Sequence, residues 1–404
     1  MRITKGVLAD IDLVALGART ELIWRSSEVT LIGLGAARRV DVALGASEDG
    51  IDPASRYLRK LRVTDDADLA GSGAVGFMTL PFDRDAPGLM IVPAVVIGER
   101  DGVRFVTLTD DYSLDDVTAQ VESLLAEPLA AKPDSVELHL DRSAESWRDD
   151  VVTVARDRIA GSDLQKAVFA RELMLEASSP FAIGRTIEYL AQRFTHAQVF
   201  AVDGFIGASP EQLVSRNQRV VRAHPLAGTA PRSTNETVDA EHIGALLAST
   251  KDRVEHQITI DWFLTELLPF CSYVDAEPEP SVLTLPNVHH LGTLVEGMLS
   301  EPASSVLELV RAVHPTPALG GDPQRDALEL ISELEGFDRK RYGGPTGWMD
   351  ARGNGEFAVS VRTAQIDGPV ARIAAGVGVV AQSDPAAELE ETQAKFKAML
   401  GGLL

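Results

Sequence analysis

Cysteine, long apolar runs and an export signal are all scarce or missing in this sequence. Its 404 residues include a single cysteine, Cys271, so no disulfide can form within the chain, as is usual for proteins of a reducing compartment. No stretch has the 18 or more consecutive apolar residues of a membrane-spanning helix, and the polar start at residues 1–5 leads into no apolar signal segment. We therefore expect a soluble, cytoplasmic protein with no membrane partner.

Positive charge is also in short supply. The chain has 38 lysines and arginines against 60 aspartates and glutamates, a formal charge of −22. Such a balance repels phosphate backbones and anionic lipids, so we expect neither nucleic acid nor a membrane surface as partner. For an anionic small molecule, local cations such as a bound metal ion would have to overcome this field.

The sequence does contain an ordinary globular composition and many short strand patterns. It is 45% hydrophobic and 24% charged. A chain of this length and composition can bury a core that is stable without disulfides or a structural metal ion. Asp203-Gly204 between two apolar runs predicts a hairpin, residues 239–271 have a mostly helical pattern, and Ser383-Asp384-Pro385 is a helix start signal. Further strands are predicted at residues 21–24, 29–33, 76–80, 89–93, 165–175, 356–364 and 371–381. Hairpins with inserted helices predict an α+β fold.

Two pairs of carboxylates have helical spacing. Asp252 and Glu255 are three residues apart, as are Glu388 and Glu391, so each pair shares one helix face. Facing each other, two such faces would form an oxygen-rich site for a hard cation such as Mg²⁺. In so acidic a chain, the same spacing is more often a solvated helix surface, and spacing alone leaves both interpretations open.

Lys166 and Glu211 are candidates for acid–base chemistry. Lys166 begins an apolar strand pattern, and a lysine that points into a pocket of low polarity loses its proton more readily than one in water. Glu211 follows Ser209-Pro210 after a strand pattern and is a candidate general acid. The alternatives are a lysine at a sheet edge that reaches into water and a glutamate in a surface loop.

Candidate anion-binding groups are spread along the rest of the chain. Gly228, Gly376 and Gly378 lie in segments where backbone N–H groups could approach an anion, although such glycines also mark strand bends. His290 precedes Leu291-Gly292-Thr293 and is either a catalyst or a hydrogen-bonded core residue. Arg362 is predicted on a strand, where its fork would suit a carboxylate.

Taken together and in order, these segments resemble the chorismate-utilising enzyme family, which includes isochorismate, salicylate, anthranilate and aminodeoxychorismate synthases. The resemblance is strong from about residue 140 to 404 and weaker before it, so we predict a single catalytic domain over residues 1–404, with residues 1–140 as the weaker-matching part and 141–404 carrying the motifs. The matching segments are residues 166–171, 205–213, 225–232, 251–256, 289–293, 314–319, 337–350, 362–364, 376–380 and 388–392.

The resemblance implies a fold and a set of roles. The implied fold is a large α+β domain with two mainly antiparallel sheets packed together and helices outside. Implied Mg²⁺ ligands are Glu255 and Glu391, with Glu388 and Asp252 in or near the coordination sphere. Many relatives have glutamate where this chain has the shorter Asp252, so a water bridge or a structural role there is equally consistent. The implied substrate contacts are Gly228, Thr229, His290, Ala318, Leu319, Tyr342, Arg362, Gly376, Gly378 and Lys395.

The implied reaction depends on the nucleophile. Lys166 matches the lysine with which isochorismate and salicylate synthases activate water, and anthranilate synthases lack it and use ammonia. We therefore expect chorismate to be converted to isochorismate, with Lys166 as base and Glu211 as acid. Salicylate synthases have a tyrosine at the position of Tyr342. The alternative activity is therefore salicylate synthesis, in which isochorismate goes on to lose pyruvate. We expect a monomer without a glutaminase subunit; an amidotransferase synthase subunit and a silent chorismate-binding regulator are the other readings.

Overall fold

The computed structural model describes residues 1–44, 52–61, 63, 65, 67–108, 112–286 and 288–404. Over these residues, no helix combines the length and the apolar character needed to cross a membrane. Groups of consecutive strands are separated by helices along the described chain, and the longest strands span Val29–Val42, Gly88–Arg100, Lys166–Ala177 and Val370–Val379.

The strands of the described residues, numbered in chain order, are β1 (Leu22–Arg25), β2 (Val29–Val42), β3 (Val75–Thr79), β4 (Gly88–Arg100), β5 (Val103–Leu108), β6 (Val136–His139), β7 (Lys166–Ala177), β8 (Gln198–Val202), β9 (Phe205–Ser209), β10 (Gln212–Asn217), β11 (Val220–His224), β12 (Leu226–Pro231), β13 (Cys271–Ala276), β14 (Ser281–Thr284), β15 (Val288–Gly292), β16 (Val295–Leu299), β17 (Gly321–Asp322), β18 (Pro345–Asp350), β19 (Gly355–Val359), β20 (Thr363–Asp367) and β21 (Val370–Val379).

The α-helices of the same residues are α1 (Val7–Asp10), α2 (Leu13–Gly17), α3 (Asp52–Lys60), α4 (Leu114–Ala126), α5 (Ala144–Trp147), α6 (Val154–Ala160), α7 (Ile183–Arg193), α8 (Glu236–Ala248), α9 (Thr250–Leu267), α10 (Val306–Val313), α11 (Gln324–Leu334) and α12 (Pro385–Leu403). A π-helical segment, Arg148–Thr153, joins α5 to α6, and a 3₁₀ turn, Leu268–Phe270, follows α9.

Antiparallel pairing links most strands into one continuous sheet. Its order is β13-β16-β11-β10-β19-β18-β3-β4-β2-β1-β8-β9-β20-β21-β7-β6, with β5 beside β4 and β17 beside β7. The long strands β2 and β4 stand in the middle of this order. One buried cluster combines Trp24 and Phe200 from one half with Phe77 and Trp348 from the other, so the two halves pack face to face.

This architecture confirms the expected α+β class with mainly antiparallel strands and helices around them. It differs from the expectation in one detail, since β2 and β4 connect the two packed layers by hydrogen bonds. Trp24 also donates across the interface from its indole Nε1 to Glu356 Oε2, at 3.0 Å, and this bond provides a buried polar partner for both side chains.

A second, three-stranded sheet, β12-β15-β14, lies apart from the large one in the pairing pattern. Helices α8 and α9 pack against its strand β12. Helix α9 begins after Ser249, whose hydroxyl accepts from the backbone N–H of Asp252 at 3.2 Å, and such a cap fixes where the helix starts. This unit therefore presents one face of α9 and two strands toward the large sheet.

Local sequence signals account for several boundaries. The hairpin between β8 and β9 turns at Asp203-Gly204, both with positive φ, as a tight two-residue turn requires. Helix α12 starts with Pro385 after Asp384, whose carboxylate accepts from the Ala386 N–H at 3.0 Å. The continuous strand expected over residues 356–364 is wrong, because the chain leaves the sheet between β19 and β20 and φ of Arg362 is 56° there.

Candidate active site

A cavity of about 90 Å³ lies where the two sheets meet. Strands β7 and β21 of the large sheet, strands β12 and β15 of the small one, and helices α9 and α12 all contribute to it. Among the candidate residues of the sequence analysis, the structure brings together Lys166, Glu211, Gly228, Thr229, Glu255, His290, Ala318, Leu319, Tyr342, Arg362, Gly376, Gly378, Glu391 and Lys395. These side chains come from distant parts of the sequence, and the fold gathers them around one small volume.

Lys166 is buried at the start of β7 and reaches across the cavity to α9. Its Nζ donates to Glu255 Oε1 at 2.5 Å. Opposite it on β21, a Cβ atom at Gly378 would lie 2.5 Å from Lys166 Cε and 3.5 Å from Glu255 Oε1. The absence of a side chain at Gly378 therefore makes room for the ion pair.

Glu211 is buried on the other side of the cavity, directly after β9. Its backbone N–H donates to Ser209 Oγ at 3.2 Å, whereas its Oε1 has no hydrogen-bond partner. Burial raises the pKa of Glu211 to about 7, although the charges of Arg362, Lys166 and Lys395 act in the opposite direction. A carboxyl group in this state holds its proton near neutral pH and has it ready to donate.

Arg362 and His290 form a hydrogen-bonded pair at the cavity wall. The Nη2 atom of Arg362 lies 3.2 Å from His290 Nε2, and the Nε of Arg362 has no partner. His290 Nδ1 lies 3.3 Å from the Gly228 carbonyl and 3.1 Å from Thr229 Oγ1. The break between β19 and β20, which the sequence analysis did not foresee, places the arginine fork here with an unused donor.

Tyr342 and Lys395 both contact Gly376 on β21. The Tyr342 hydroxyl accepts from the Gly376 N–H, and burial raises the pKa of Tyr342 to about 12. Lys395 Nζ donates to the Gly376 carbonyl at 2.8 Å and pairs with Glu391 Oε1 at 2.6 Å. A Cβ atom at position 376 would lie 3.2 Å from the Tyr342 hydroxyl, so a glycine permits this close approach.

Of the four carboxylates that the resemblance places in or near a metal site, two line the cavity and two do not. Glu255 and Glu391 line the cavity, but Asp252 and Glu388 do not. Asp252 lies beside Gly228, where a Cβ atom would come within 3.4 Å of its Oδ1, and Glu388 is buried one turn before Glu391. In the described part of the chain, no three His, Cys, Asp or Glu side chains are grouped closely enough to hold a metal ion.

Two cavity carboxylates nevertheless suit Mg²⁺. This ion is usually held by one or two carboxylates, with water and substrate oxygens completing its coordination, and it does not require a closed protein cage. Glu255 and Glu391 supply oxygen donors only, as a hard cation prefers. The donor set therefore fits Mg²⁺ with Glu255 and Glu391 as its protein ligands, and the part that Asp252 and Glu388 take remains a prediction.

Behind the cavity, a buried ion pair holds the backbone that surrounds Lys166. Arg339 and Glu335 pair through two contacts of 2.6 Å. Arg339 also donates to the carbonyls of Val168, at 2.5 Å, and Leu319, at 3.0 Å. The sequence analysis assigned this pair no structural role. The only signal in the sequence is that Glu335 and Arg339, with opposite charges, are four residues apart, a spacing at which side chains on a helix can pair.

Sequence reasoning also missed the apolar part of the cavity wall. Val168 follows Lys166 by two residues on β7, and this period of two could have identified it. Val361 and Val377 adjoin Arg362 and Gly376 in sequence but carry no chemical signal of their own. The missed lining residues are Val168, Pro210, Leu226, Ala227, Val361 and Val377.

A larger groove of about 680 Å³ adjoins the cavity at Tyr342. Two pairs of its charged side chains neutralise each other, in the contacts Arg341–Asp203, at 2.6 Å, and Arg372–Glu172, at 2.9 Å. The smaller cavity has the perturbed carboxyl of Glu211 and the unused donor of Arg362, which are features of a functional site. We therefore assign the chemistry to the smaller cavity.

Comparison with known proteins gives a consistent result. Vibriobactin-specific isochorismate synthase of Vibrio cholerae is 29% identical over 388 residues, which cover 95% of this chain and 91% of that protein. Isochorismate synthase DhbC of Bacillus subtilis is 40% identical over 254 residues, covering 60% of this chain and 64% of that protein. The matched part thus spans less than two thirds of the length of DhbC.

A solved structure agrees over the whole chain. Escherichia coli MenF, the menaquinone-specific isochorismate synthase, has a TM-score of 0.81 and 25% identity, covering 100% of this chain and 94% of that one. The family model described as chorismate binding enzyme matches residues 15–404. Because this model extends over nearly the entire chain and the fold agrees, the protein belongs to the chorismate-binding enzyme family.

Proposed function

We propose that this protein is an isochorismate synthase, which adds water at C2 of the chorismate ring and removes the hydroxyl at C4. The observation that carries the proposal is a lysine and a carboxyl with a raised pKa, Lys166 and Glu211, lining one cavity. Relatives that carry the name isochorismate synthase, matched over nearly the whole chain or over much of it, support the same activity.

The proposed reaction needs a base and an acid, and the site has one of each. Lys166, as the free amine, takes a proton from a water molecule whose oxygen bonds to C2 while both ring double bonds shift toward C4. The bond between C4 and its hydroxyl oxygen breaks, and Glu211 gives its proton to the departing group, which leaves as water. One water enters and one leaves, so the overall change is an isomerisation.

The two carboxylates of the substrate need cationic partners in an acidic protein. Arg362 has a free Nε donor and together with Tyr342 would hold the enolpyruvyl carboxylate, since a guanidinium fork matches a carboxylate. The ring carboxylate would lie near Gly228, Thr229 and Gly378. Lys395, which lines the same cavity, adds positive charge on that side.

We further propose Mg²⁺ as the cofactor, held by Glu255 and Glu391. When bound, this ion would supply positive charge to the ring carboxylate of the substrate. The proposal is supported by the oxygen-only donor set of the cavity. The ion would also explain how so acidic a chain can bind an anionic substrate, because a bound cation converts an acidic cleft into an anion-binding site.

The test is to incubate the protein with chorismate and Mg²⁺ and to separate the products by chromatography. Isochorismate as the main product is expected. Anthranilate formed in the presence of ammonia would instead indicate the amine-using reaction, and salicylate with an equal amount of pyruvate would indicate a salicylate synthase. Binding of chorismate without any turnover would point to a regulatory protein.

A further inference from the structure

Each of the two cavity carboxylates is paired with a lysine of the same cavity. Lys166 contacts Glu255 at 2.5 Å, and Lys395 contacts Glu391 at 2.6 Å. The side chains of the two lysines are only 9% and 12% exposed, so water screens these pairs less than it screens pairs on the surface. The carboxylates proposed to bind the metal therefore already have cationic partners.

The packing around each pair favours these contacts. Gly378 leaves open the space that Lys166 Cε occupies, 2.5 Å from where a Cβ atom would lie. Lys395 is anchored by a second hydrogen bond, to the Gly376 carbonyl at 2.8 Å. Both contacts place the ammonium groups beside β21, against the same carboxylates that a metal ion would need.

A divalent cation beside Glu255 and Glu391 would repel the two ammonium groups, which lie 2.5 and 2.6 Å from the same carboxylates. We propose that Lys166 and Lys395 are the resident counter-cations of Glu255 and Glu391, and that a metal ion binds only by displacing both ammonium groups. This inference rests on the proposed function, because it takes these carboxylates as the metal ligands. The lysines thus oppose metal binding, and displacement frees Lys166 from Glu255 and Lys395 from Glu391.

The inference is tested by direct metal binding without chorismate. Free Mn²⁺, an ion of similar ligand preference, is measured by electron paramagnetic resonance during titration of the wild type, Lys166→Met and Lys395→Met at fixed pH and ionic strength. Each variant should bind Mn²⁺ about tenfold more tightly, since it removes one partly buried ion pair that the metal must break.

A matched control separates displacement from a general change in charge. Lys397→Met removes one positive charge from α12, the helix that carries Lys395, but Lys397 is exposed and does not line the cavity. The affinity of this variant for Mn²⁺ should therefore stay within about twofold of the wild-type value. In the double variant Lys395→Met/Glu391→Gln, the gain in Mn²⁺ affinity seen in Lys395→Met should disappear, because the Glu391 carboxylate that the first substitution makes available to the metal is absent. Thermal unfolding verifies that each variant is folded; if Lys166→Met or Lys395→Met is not, Lys166→Gln or Lys395→Gln replaces it.

Equal gains in Lys397→Met and the two cavity variants would overturn the inference, as would unchanged or undetectable Mn²⁺ binding in both cavity variants. These outcomes are distinct from a failure of the proposed function. A wild type that forms isochorismate while its lysine variants gain no affinity overturns the displacement alone. Tighter metal binding without isochorismate formation overturns the activity alone.

Discussion

The imidazole of His290 and the guanidinium of Arg362 are joined through Nε2 and Nη2, 3.2 Å apart. A guanidinium can only donate, so Nε2 is the acceptor and the imidazole proton lies on Nδ1, which faces the Gly228 carbonyl at 3.3 Å. Burial, followed by the charge of Arg362, lowers the pKa of His290 well below its usual value. A neutral histidine therefore orients the arginine fork at the cavity wall.

Replacing His290 should loosen substrate binding more than it slows chemistry. In His290→Phe, the buried Nη2 of Arg362 loses its acceptor, at a cost of about 1–3 kcal/mol, and we expect KM for chorismate to rise about tenfold with a smaller change in kcat. His290→Gln, which keeps an oxygen acceptor, should recover part of the loss. Steady-state kinetics measure both constants; an unchanged KM in His290→Phe would show that the pair has no part in binding.

The raised pKa of Glu211 predicts a falling basic limb in the pH profile. Its carboxyl is protonated below about pH 7 and loses its proton above that pH, so kcat/KM should decrease about tenfold per pH unit beyond the pKa if Glu211 is the proton donor. Glu211→Gln should reduce kcat by about 10²–10⁴-fold and remove this limb. A variant that keeps the wild-type profile would exclude Glu211 as the acid.

Lys166→Ala should abolish most turnover and leave the fold intact. The expected loss is about 10²–10⁴-fold in kcat, the usual effect of removing a general base. Lys397→Ala, on the exposed side of α12, is the control and should retain full activity. Circular dichroism and product formation at neutral pH are the measurements; near wild-type turnover by Lys166→Ala would remove Lys166 from the mechanism.

Chelation is expected to stop the reaction, and Mg²⁺ is expected to restore it. Ca²⁺ should substitute poorly, because it prefers more ligands and longer bonds than the two cavity carboxylates and their waters are suited to provide. The measurement is the initial rate after dialysis against chelator, with each ion added back in turn. Full activity in excess chelator would refute the proposed cofactor.

Tyr342 concerns the choice of product. The Tyr342 hydroxyl accepts from the Gly376 N–H, and Tyr342→Phe removes it while leaving Arg362 in place. We expect this variant to retain isochorismate formation with a loss of less than about tenfold in kcat/KM. The wild type should form isochorismate mainly, with salicylate as a minor product. A time course in which salicylate and pyruvate form together without isochorismate accumulating would contradict this.

The local parts of the fold could be predicted from sequence because their signals are local. The Asp203-Gly204 hairpin and the Asp384-Pro385 helix start each depend on the conformational preferences of a few adjacent residues. The break before Arg362 could not be foreseen, since the residues around it favour a strand. The chain changes its partner there: Ser360 still bonds to Gly344 in continuation of the β18–β19 pairing, whereas the Arg362 carbonyl accepts from the Ala208 N–H of β9 at 3.1 Å.

The composition of the cavity was predicted better than its contacts. Motif resemblance pointed to the lysine, the glutamates and the glycines, whose roles remain predictions. Nothing local to Lys166 indicates that Glu255 is its partner, because the pair joins β7 of the large sheet to α9, which packs against β12 of the small sheet. The position of Asp252 beside Gly228 likewise depends on tertiary packing, which cannot be predicted from the spacing of residues along a helix.

The pairing of β7 with β21 joins residues 167–176 to residues 370–379, and it forms one wall of the cavity. Strands so far apart in sequence pair slowly, because the loop between them must close before their contacts form. During synthesis, β7 leaves the ribosome long before β21 exists, with one of its edges unpaired and open to other chains. The site thus assembles near the end of folding, and truncated chains that lack β21 are expected to aggregate and to show no residual binding of chorismate.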